Sequence, residues 1–460
     1  MEKLRLGVIG IGNMGSEHCR LMLSGRTPEV ELCCVADPRA DRRAWAQAEL
    51  PKAVRVYPDG EALIRARGCD AALIATPHAL HPPLALLALE HGLHVLSEKP
   101  AGVCARQVRP VLEAARRSGL TYALMFNQRT NGVYRRLRAL VAGGALGEIK
   151  RVHWIVTDWY RSQRYYDSGS WRATWRGEGG GVLINQCPHQ LDLLQWICGM
   201  PTAVRAFCHE GKWHDIEVED DVTAYLEFSN GATGVFVAST GDLPGTNRLE
   251  IDGDAGKVVC ENDQILFWKL PFGEKSHYRC GPEPYPHPDV SPVAVEPCEG
   301  NPQHAGVINA FAAHVLRGEA LVADGAEGLN ALMLSNAMHL SSWLGKMVEI
   351  PFDEDLFLEK LNEIINEHIG NPALDVNMIA DLMHLSRPTL YRKIRAISDL
   401  TPNELIKISR LKKAAELLIQ GNMKIYEISE ATGFSSQSYF WSAFIKQFGM
   451  SPSNYAKENK

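Results

Sequence analysis

LRLGVIGIGNMGSEHCRLML, residues 4–23, decides how the front of this chain folds. Leu4 to Gly12 is apolar on both faces, the mark of a strand buried inside a parallel sheet. It runs into Gly10-Ile11-Gly12-Asn13-Met14-Gly15 and then a helical stretch to about Leu23. A bare G-x-G-x-x-G turn is common, so the flanks decide. A second strand, VELCCVAD, ends in Asp37, 22 residues beyond Gly15, the spacing of a dinucleotide site. Gly10 permits the tight turn and Gly12 lets backbone approach a pyrophosphate, while Gly15 allows close helix–strand packing. Asn13 and Met14 place the helix N-terminus against the negative charge. Asp37 suits the ribose 2′-hydroxyl of NAD; Arg39, Arg42 and Arg43 are near enough to keep NADP open as the alternative.

Further strand–helix units follow: strands at 69–77, 94–100 and 121–128, helices at 78–92 and 105–119. That alternation predicts a parallel sheet with helices on both faces and ligand at the strand carboxyl ends. Thr76, Pro77, His81, Glu98 and Lys99 sit at those ends, and Asn127 closes the last strand. Pro100 keeps Lys99 out of helix and leaves its ammonium projecting.

Outward from this core the composition changes. The chain has 460 residues, 45% hydrophobic and 22% charged, so it is globular and long enough for about three domains. No C-x-x-C pair occurs among its 11 cysteines, which signals neither a disulfide framework nor a metal site. Cys33 and Cys34 are expected on opposite faces of their strand. The N-terminus lacks a basic, then apolar, leader, and the longest uncharged stretch (71–89) carries three prolines. A cytoplasmic protein without a membrane span is expected. Residues 1–350 hold 26 Arg and 9 Lys, whereas 351–460 hold 4 Arg and 9 Lys. Isoleucine goes from 13 in the first part to 12 in the much shorter second. Boundaries are therefore expected at 1–126, 127–352 and 353–460. Residues 382–460 carry 12 basic and 6 acidic side chains, a net positive unit suited to a polyanion.

The middle part reads as alternating half-buried strands, with a hairpin at Asn230-Gly231. It should form a mostly antiparallel sheet. Its chemistry lies in WRATWRGEGGGVLINQCPHQLDLLQWICG, residues 171–199. The glycine run leads into a helix on which His189 and Asp192, three apart, share a face. Arg172 and Trp175, with neighbouring tyrosines, offer guanidinium and stacking surfaces for a carbohydrate or sugar acid.

The last part is helical. Ile379–Met383 leads through a short turn to RPTLYRKIRAI, and Tyr426–Ala431 leads through Thr432-Gly433-Phe434 to SSQSYFWSAFIKQF. Helix, turn, helix, twice over, is a major-groove reader. Leu390, Ile394, Phe440 and Phe444 fall on the core side. Arg387, Thr389, Arg392, Lys393, Ser436 and Gln437 are left for double-stranded DNA.

GVIGIGNMG (7–15), ATPHALH (75–81) and GLHVLSEKP (92–100) together resemble the glucose–fructose oxidoreductase / inositol 2-dehydrogenase / MocA (Gfo/Idh/MocA) family. The resemblance implies an α/β Rossmann domain, an α+β domain with an open-faced sheet that pairs subunits, and a catalytic Lys99. It also implies His189 as general base on a sugar or polyol hydroxyl and Asp192 positioning the substrate. A histidine titrating near working pH suits that task. Asn185 stands where many relatives carry aspartate and is expected on the substrate with Asn127. The second helical unit resembles the AraC/XylS regulators at Ile428, Ala431, Gly433, Phe434, Ser438, Tyr439, Phe440, Phe444, Lys446, Gly449, Ser451, Pro452 and Tyr455. Ala456 departs from a frequent arginine. The block is most like the output domain of Bacteroides-type hybrid two-component regulators. The expected protein is thus an NAD(P)-dependent dehydrogenase of CH–OH groups, with no metal, fused to an all-α double helix-turn-helix domain. Two alternatives stand beside it: a sugar- or redox-sensing transcription factor, and an accidental join of two complete halves.

Overall fold

The computed structural model describes residues 3–169, 171–285, 289–351, 356–383, 385–387, 390–391, 394 and 401–458. Contacts divide the chain into two compact units, Met1–Phe352 and Asp353–Lys460.

The first unit opens with six parallel strands: β1 (Leu4–Ile9), β2 (Val30–Ala36), β3 (Arg55–Tyr57), β4 (Ala71–Ile74), β5 (His94–Ser97) and β6 (Tyr122–Leu124), in the order β3-β2-β1-β4-β5-β6. The chain reverses direction between β1 and β4, which opens a crevice at their carboxyl ends. Leu6, Val8 and Ile9 of β1 and all of β4 are buried, as strands covered on both faces must be. The β1–β2 register slips between Leu6 and Gly7, so Leu6 faces Leu32 while Gly7 faces Cys34. Cys33 is the extra residue of that bulge. The expectation of opposite faces fails for this reason: a bulge breaks the period of two, and the Cys33 and Cys34 sulfurs lie 3.6 Å apart. β6 is also shorter than the sequence predicts. Its Leu124 amide donates to Ala323 O, and the chain turns into a 3₁₀ segment, Asn127–Thr130.

The second sheet has nine strands: β7 (Ile149–Val156), β8 (Ala203–Glu210), β9 (Glu219–Glu227), β10 (Thr233–Ser239), β11 (Asn247–Gly253), β12 (Gly256–Glu261), β13 (Gln264–Lys269), β14 (Val293–Val295) and β15 (Val348–Glu349). They are ordered β14-β13-β12-β11-β7-β10-β9-β8-β15. β7 and β10 run parallel; the other described pairs are antiparallel. The helix Gly325–Leu344 lies along β8, where Ser341 Oγ and Ser342 Oγ accept the Ala206 and Cys208 amides at 3.0 and 2.9 Å. The other face carries Ile155, Phe207 and Tyr225 at 39%, 52% and 39% exposure, with Thr223, Arg205 and His153 interleaved.

In the second unit, the helices Pro402–Gln420, Ile425–Ala431 and Gln437–Phe448 close around Leu411, Leu418, Ile428, Phe434, Phe440 and Phe444. Thr401 and Glu404 form a capping box at the start of the first. Leu390, Ile394, Phe440 and Phe444 are fully buried, on the core side. Among the described residues no helix is long and apolar enough to cross a membrane.

Candidate functional site

The glycine turn follows from close packing. Gly10 has φ +85°, and a Cβ there would meet Ala75 O at 2.6 Å. A Cβ on Gly15 would lie 1.8 Å from Gly10 O, whereas one on Gly12 would meet nothing within 4 Å. The helix Asn13–Leu23 therefore begins under open space, and its N-cap, Gly12, has no side chain to satisfy it. At the end of β2, Asp37 accepts Ile11 N and Arg39 N, both at 2.9 Å. The three neighbouring arginines are engaged: Arg39 with Asp41, Arg42 Nε with Ile11 O at 2.7 Å, and Arg43 Nη1 with Asp37 O at 2.9 Å. Open space over Gly12, exposed helix amides, a strand-end carboxylate and the buried, unpartnered Thr76 Oγ1 fit a dinucleotide. The engaged arginines leave Asp37 to meet ribose hydroxyls, which favours NAD over NADP.

Two residues expected on the cofactor face inward. His81 is buried, with Nδ1 2.8 Å from Pro100 O and Nε2 2.7 Å from Thr76 O. It ties the two strand-end loops together, which corrects its assignment to cofactor contact. Glu98 is buried and lies 2.6 Å from His18 Nε2, with its other oxygen accepting Lys99 N at 3.1 Å. Burial works against the Glu98 carboxylate, but the His18 hydrogen bond together with the charges of His18, His304 and Lys99 outweighs it and holds it down at about 2.

Lys99 reaches from the end of β5 to Asn185, donating from Nζ to its main-chain carbonyl at 2.8 Å. The single helix expected after the glycine run is two: Val182–Asn185 and Pro188–Cys198. Pro188 has no amide to continue the ladder, and Cys187 before it is pushed out of helix. Gly181 N and Leu183 N both donate to the buried Glu219 of β9, at 2.9 and 3.0 Å. Gly181 is required there because a Cβ would lie 1.9 Å from Glu219 O.

His189 sits at the second position of the Pro188–Cys198 helix, edge-on to Phe126 at 6.1 Å, with Nδ1 buried and unpartnered. Burial first, then the charge of Lys99, lowers its pKa to about 3, so the resting imidazole is neutral and does not titrate near working pH as expected. Asp192 does share that face but does not present a free carboxylate. Arg129 Nε and Nη2 bind its two oxygens at 2.8 and 2.6 Å, and both side chains are 1% exposed. Direct substrate positioning by Asp192 is replaced by a buried pair that anchors the helix. Trp175 is likewise buried, against His339 and Trp343; it is core, because aromatic composition alone does not distinguish stacking on a ligand from stacking on neighbours. Arg172 Nη1 donates to Tyr165 Oη at 2.8 Å and stays half-exposed. Asn127 donates to Gln303, and its Oδ1 is buried without a partner.

Sequence reasoning missed Glu178, Glu219, Arg129 and His304. His304, at the start of the helix Gln303–Arg317, lies edge-on to His18 at 5.3 Å beside Glu98. None of the four belongs to a local pattern; each is defined by partners distant along the chain.

In the second unit, Gln437 and Ser436 are exposed at the start of the Gln437–Phe448 helix, and Ser436 Oγ accepts Tyr439 N at 3.2 Å. Ser436 is thus first a cap, with its own hydroxyl proton left to donate. Arg387 is exposed; Thr389, Arg392 and Lys393 lie outside the described residues.

A parallel sheet with an open glycine turn, a lysine at the next strand end and a neutral histidine opposite define a nicotinamide-dinucleotide oxidoreductase, here on one chain with a helix-turn-helix unit. Comparison with known proteins agrees. An oxidoreductase family with an NAD-binding Rossmann fold matches residues 4–126, the GFO/IDH/MocA C-terminal domain matches 134–259, and a helix-turn-helix domain matches 379–458. D-glucoside 3-dehydrogenase of Escherichia coli is 30% identical over 245 residues, 50% of this chain and 68% of that protein. Histidine kinase P4 of Formosa agariphila is 38% identical over 121 residues, 26% of this chain and 9% of that protein. The WlbA dehydrogenase of Bordetella pertussis, solved with NADH and UDP-GlcNAcA, superposes with TM-score 0.65 and 26% identity, covering 76% of this chain and 100% of that one. The chain belongs to the Gfo/Idh/MocA oxidoreductase family, binds NAD in its Rossmann domain, and carries an AraC-type helix-turn-helix domain.

Proposed function

We propose that the chain is an NAD-dependent dehydrogenase that oxidises a CH–OH group of a sugar, polyol or sugar acid, and that residues 353–460 bind double-stranded DNA as a sequence-specific transcription regulator. The observation that carries the enzymatic reading is Lys99 Nζ anchored 2.8 Å from the Asn185 carbonyl, with its charge bearing on the neutral His189. Gly10, Gly12, Asn13, Met14, Gly15, Asp37, Thr76 and Pro77 line the side that would hold the nucleotide, which when bound supplies the hydride acceptor. His189 Nδ1 takes the hydroxyl proton. The Lys99 ammonium stabilises the alkoxide that forms as the proton leaves. Asn127, Arg172 and Asn185 orient the ring hydroxyls. Subunits pair through the sheet face that exposes Ile155, Phe207 and Tyr225, and the protein works in the cytoplasm, where nucleotide and DNA are both found.

The test is NADH formation by the purified protein from NAD and a panel of sugars, polyols and sugar acids. Turnover is expected with at least one class; none with any would overturn the reading. For the DNA-binding unit, operator affinity should fall steeply with salt. Arg387→Ala plus Gln437→Ala should weaken it by about tenfold or more, and full retention would contradict the groove assignment. Repeating the gel shift with NADH and the active sugar distinguishes a sensor, whose affinity changes, from a passive fusion, whose affinity does not.

A further inference from the structure

The segment before the catalytic histidine holds a titratable group outside the scheme above. Glu178 is 1% exposed. Its Oε2 accepts Ala173 N at 2.8 Å, and its Oε1 accepts Asn185 Nδ2. The same Nδ2 lies 3.3 Å from Tyr165 Oη, which also accepts Arg172 Nη1 at 2.8 Å. Asn185 therefore stands at a junction. Its main-chain carbonyl holds Lys99, and one end of its side-chain amide is taken by Glu178.

A carboxylate can only accept, so it draws the Nδ2 end of the amide toward itself and leaves Oδ1 outward. In the acid, Oε2 goes on accepting the Ala173 amide, so the proton sits on Oε1, which then donates, draws Oδ1 and leaves Nδ2 outward. Tyr165 Oη serves either state, because a hydroxyl both donates and accepts. We propose that Glu178 is a positioning residue whose protonation decides which end of the Asn185 amide meets the substrate. Ionised, it presents an acceptor for a sugar hydroxyl; protonated, it presents a donor that competes with the hydroxyl's own proton. This rests on the dehydrogenase reading of the site.

The surroundings keep both states within reach. Burial raises the Glu178 carboxyl to about 7, against the Ala173 amide, the Arg172 charge and the Asn185 amide, which favour ionisation, while Glu219 opposes it. Lys99 also faces it from the end of β5, and Tyr166 from its own loop. His78 Nδ1, on the far side, lies 3.1 Å from the Glu178 main-chain oxygen. His189, pushed down to about 3, stays neutral throughout; burial also raises Asp192, held by Arg129, to about 6, and E178Q separates its limb from that of Glu178.

Profiles of kcat/KM and kcat against pH test this in the wild type, E178Q and N185A. The wild type should lose kcat/KM about tenfold per pH unit below about 7, with the loss carried by KM. E178Q, which cannot titrate, should be flat over that range, and so should N185A, which has no amide to turn. A limb near pH 7 that survives in either variant overturns the proposal. Infrared titration supplies a readout independent of turnover: a protonated-carboxyl band vanishing near pH 7 in the wild type and N185A but missing from E178Q, with NADH titration confirming that each variant is folded. If the wild type oxidises no sugar, the dehydrogenase reading fails, and the infrared band decides for Glu178; its absence from the wild type overturns the proposal.

Discussion

Two glycine runs lead into helices in this molecule, and they end differently. At Gly10–Gly15 the helix N-terminus is left open: Gly12 has nothing within 4 Å of its Cβ direction. At Gly179–Gly181 the amides are closed by the protein's own carboxylate, with Gly181 N and Leu183 N both on Glu219. The first run is a receptor for an external anion. The second is a rigid support that carries Asn185 and, past a break at Pro188, His189. Glycine before a helix thus marks close approach of backbone. What approaches, ligand or protein, depends on whether a carboxylate elsewhere in the fold fills the place.

The largest expected effect removes the two side chains proposed to act on the substrate: His189, carried past the second run, and Lys99, held by the Asn185 carbonyl. Lys99→Ala and His189→Ala should each lower kcat at least ~100-fold, about 2.7 kcal/mol of transition-state stabilisation. Unchanged turnover in both would take them out of the mechanism. Alanine in the two runs should then separate their roles. Gly181→Ala drives a Cβ into Glu219 O at 1.9 Å, so thermal unfolding should show a loss of about 1–3 kcal/mol. Gly12→Ala should leave the melting temperature alone and weaken NADH binding about tenfold, since its Cβ occupies only the space that the pyrophosphate needs. The reverse pattern, a destabilised Gly12→Ala with normal NADH affinity, would break the comparison. The smallest effect is Glu219→Gln. Gln still offers an oxygen to one amide but strands another buried group, so a loss of about 1–2 kcal/mol is expected by chemical denaturation, with NADH affinity intact.

Legibility in the sequence follows the same division. Gly10, Gly12, Gly15, Asp37 and Lys99 sit in local patterns, each following β1, β2 or β5, and the order β2-β1-β4-β5 puts those strand ends on one edge of the sheet. The protonation state of His189 is not legible in the sequence, because burial is a property of the assembled fold. Asp192 pairs with Arg129, 63 residues away, and no spacing rule links the two. Glu178 meets Asn185 seven residues on, across the glycine run, a spacing that no helix or strand period marks. Cys33 and Cys34 share a face through a one-residue bulge that leaves no mark on the strand's apolar pattern. Trp175 has the same composition signal as a stacking platform, and only its contacts with His339 and Trp343 make it core.

A crystal structure of the chain with NADH tests the central claim most directly. The pyrophosphate should lie over Gly12–Met14, with the ribose hydroxyls on Asp37 and the nicotinamide directed toward Lys99 and His189. Nucleotide bound elsewhere, or a nicotinamide separated from Lys99 by protein, would contradict it.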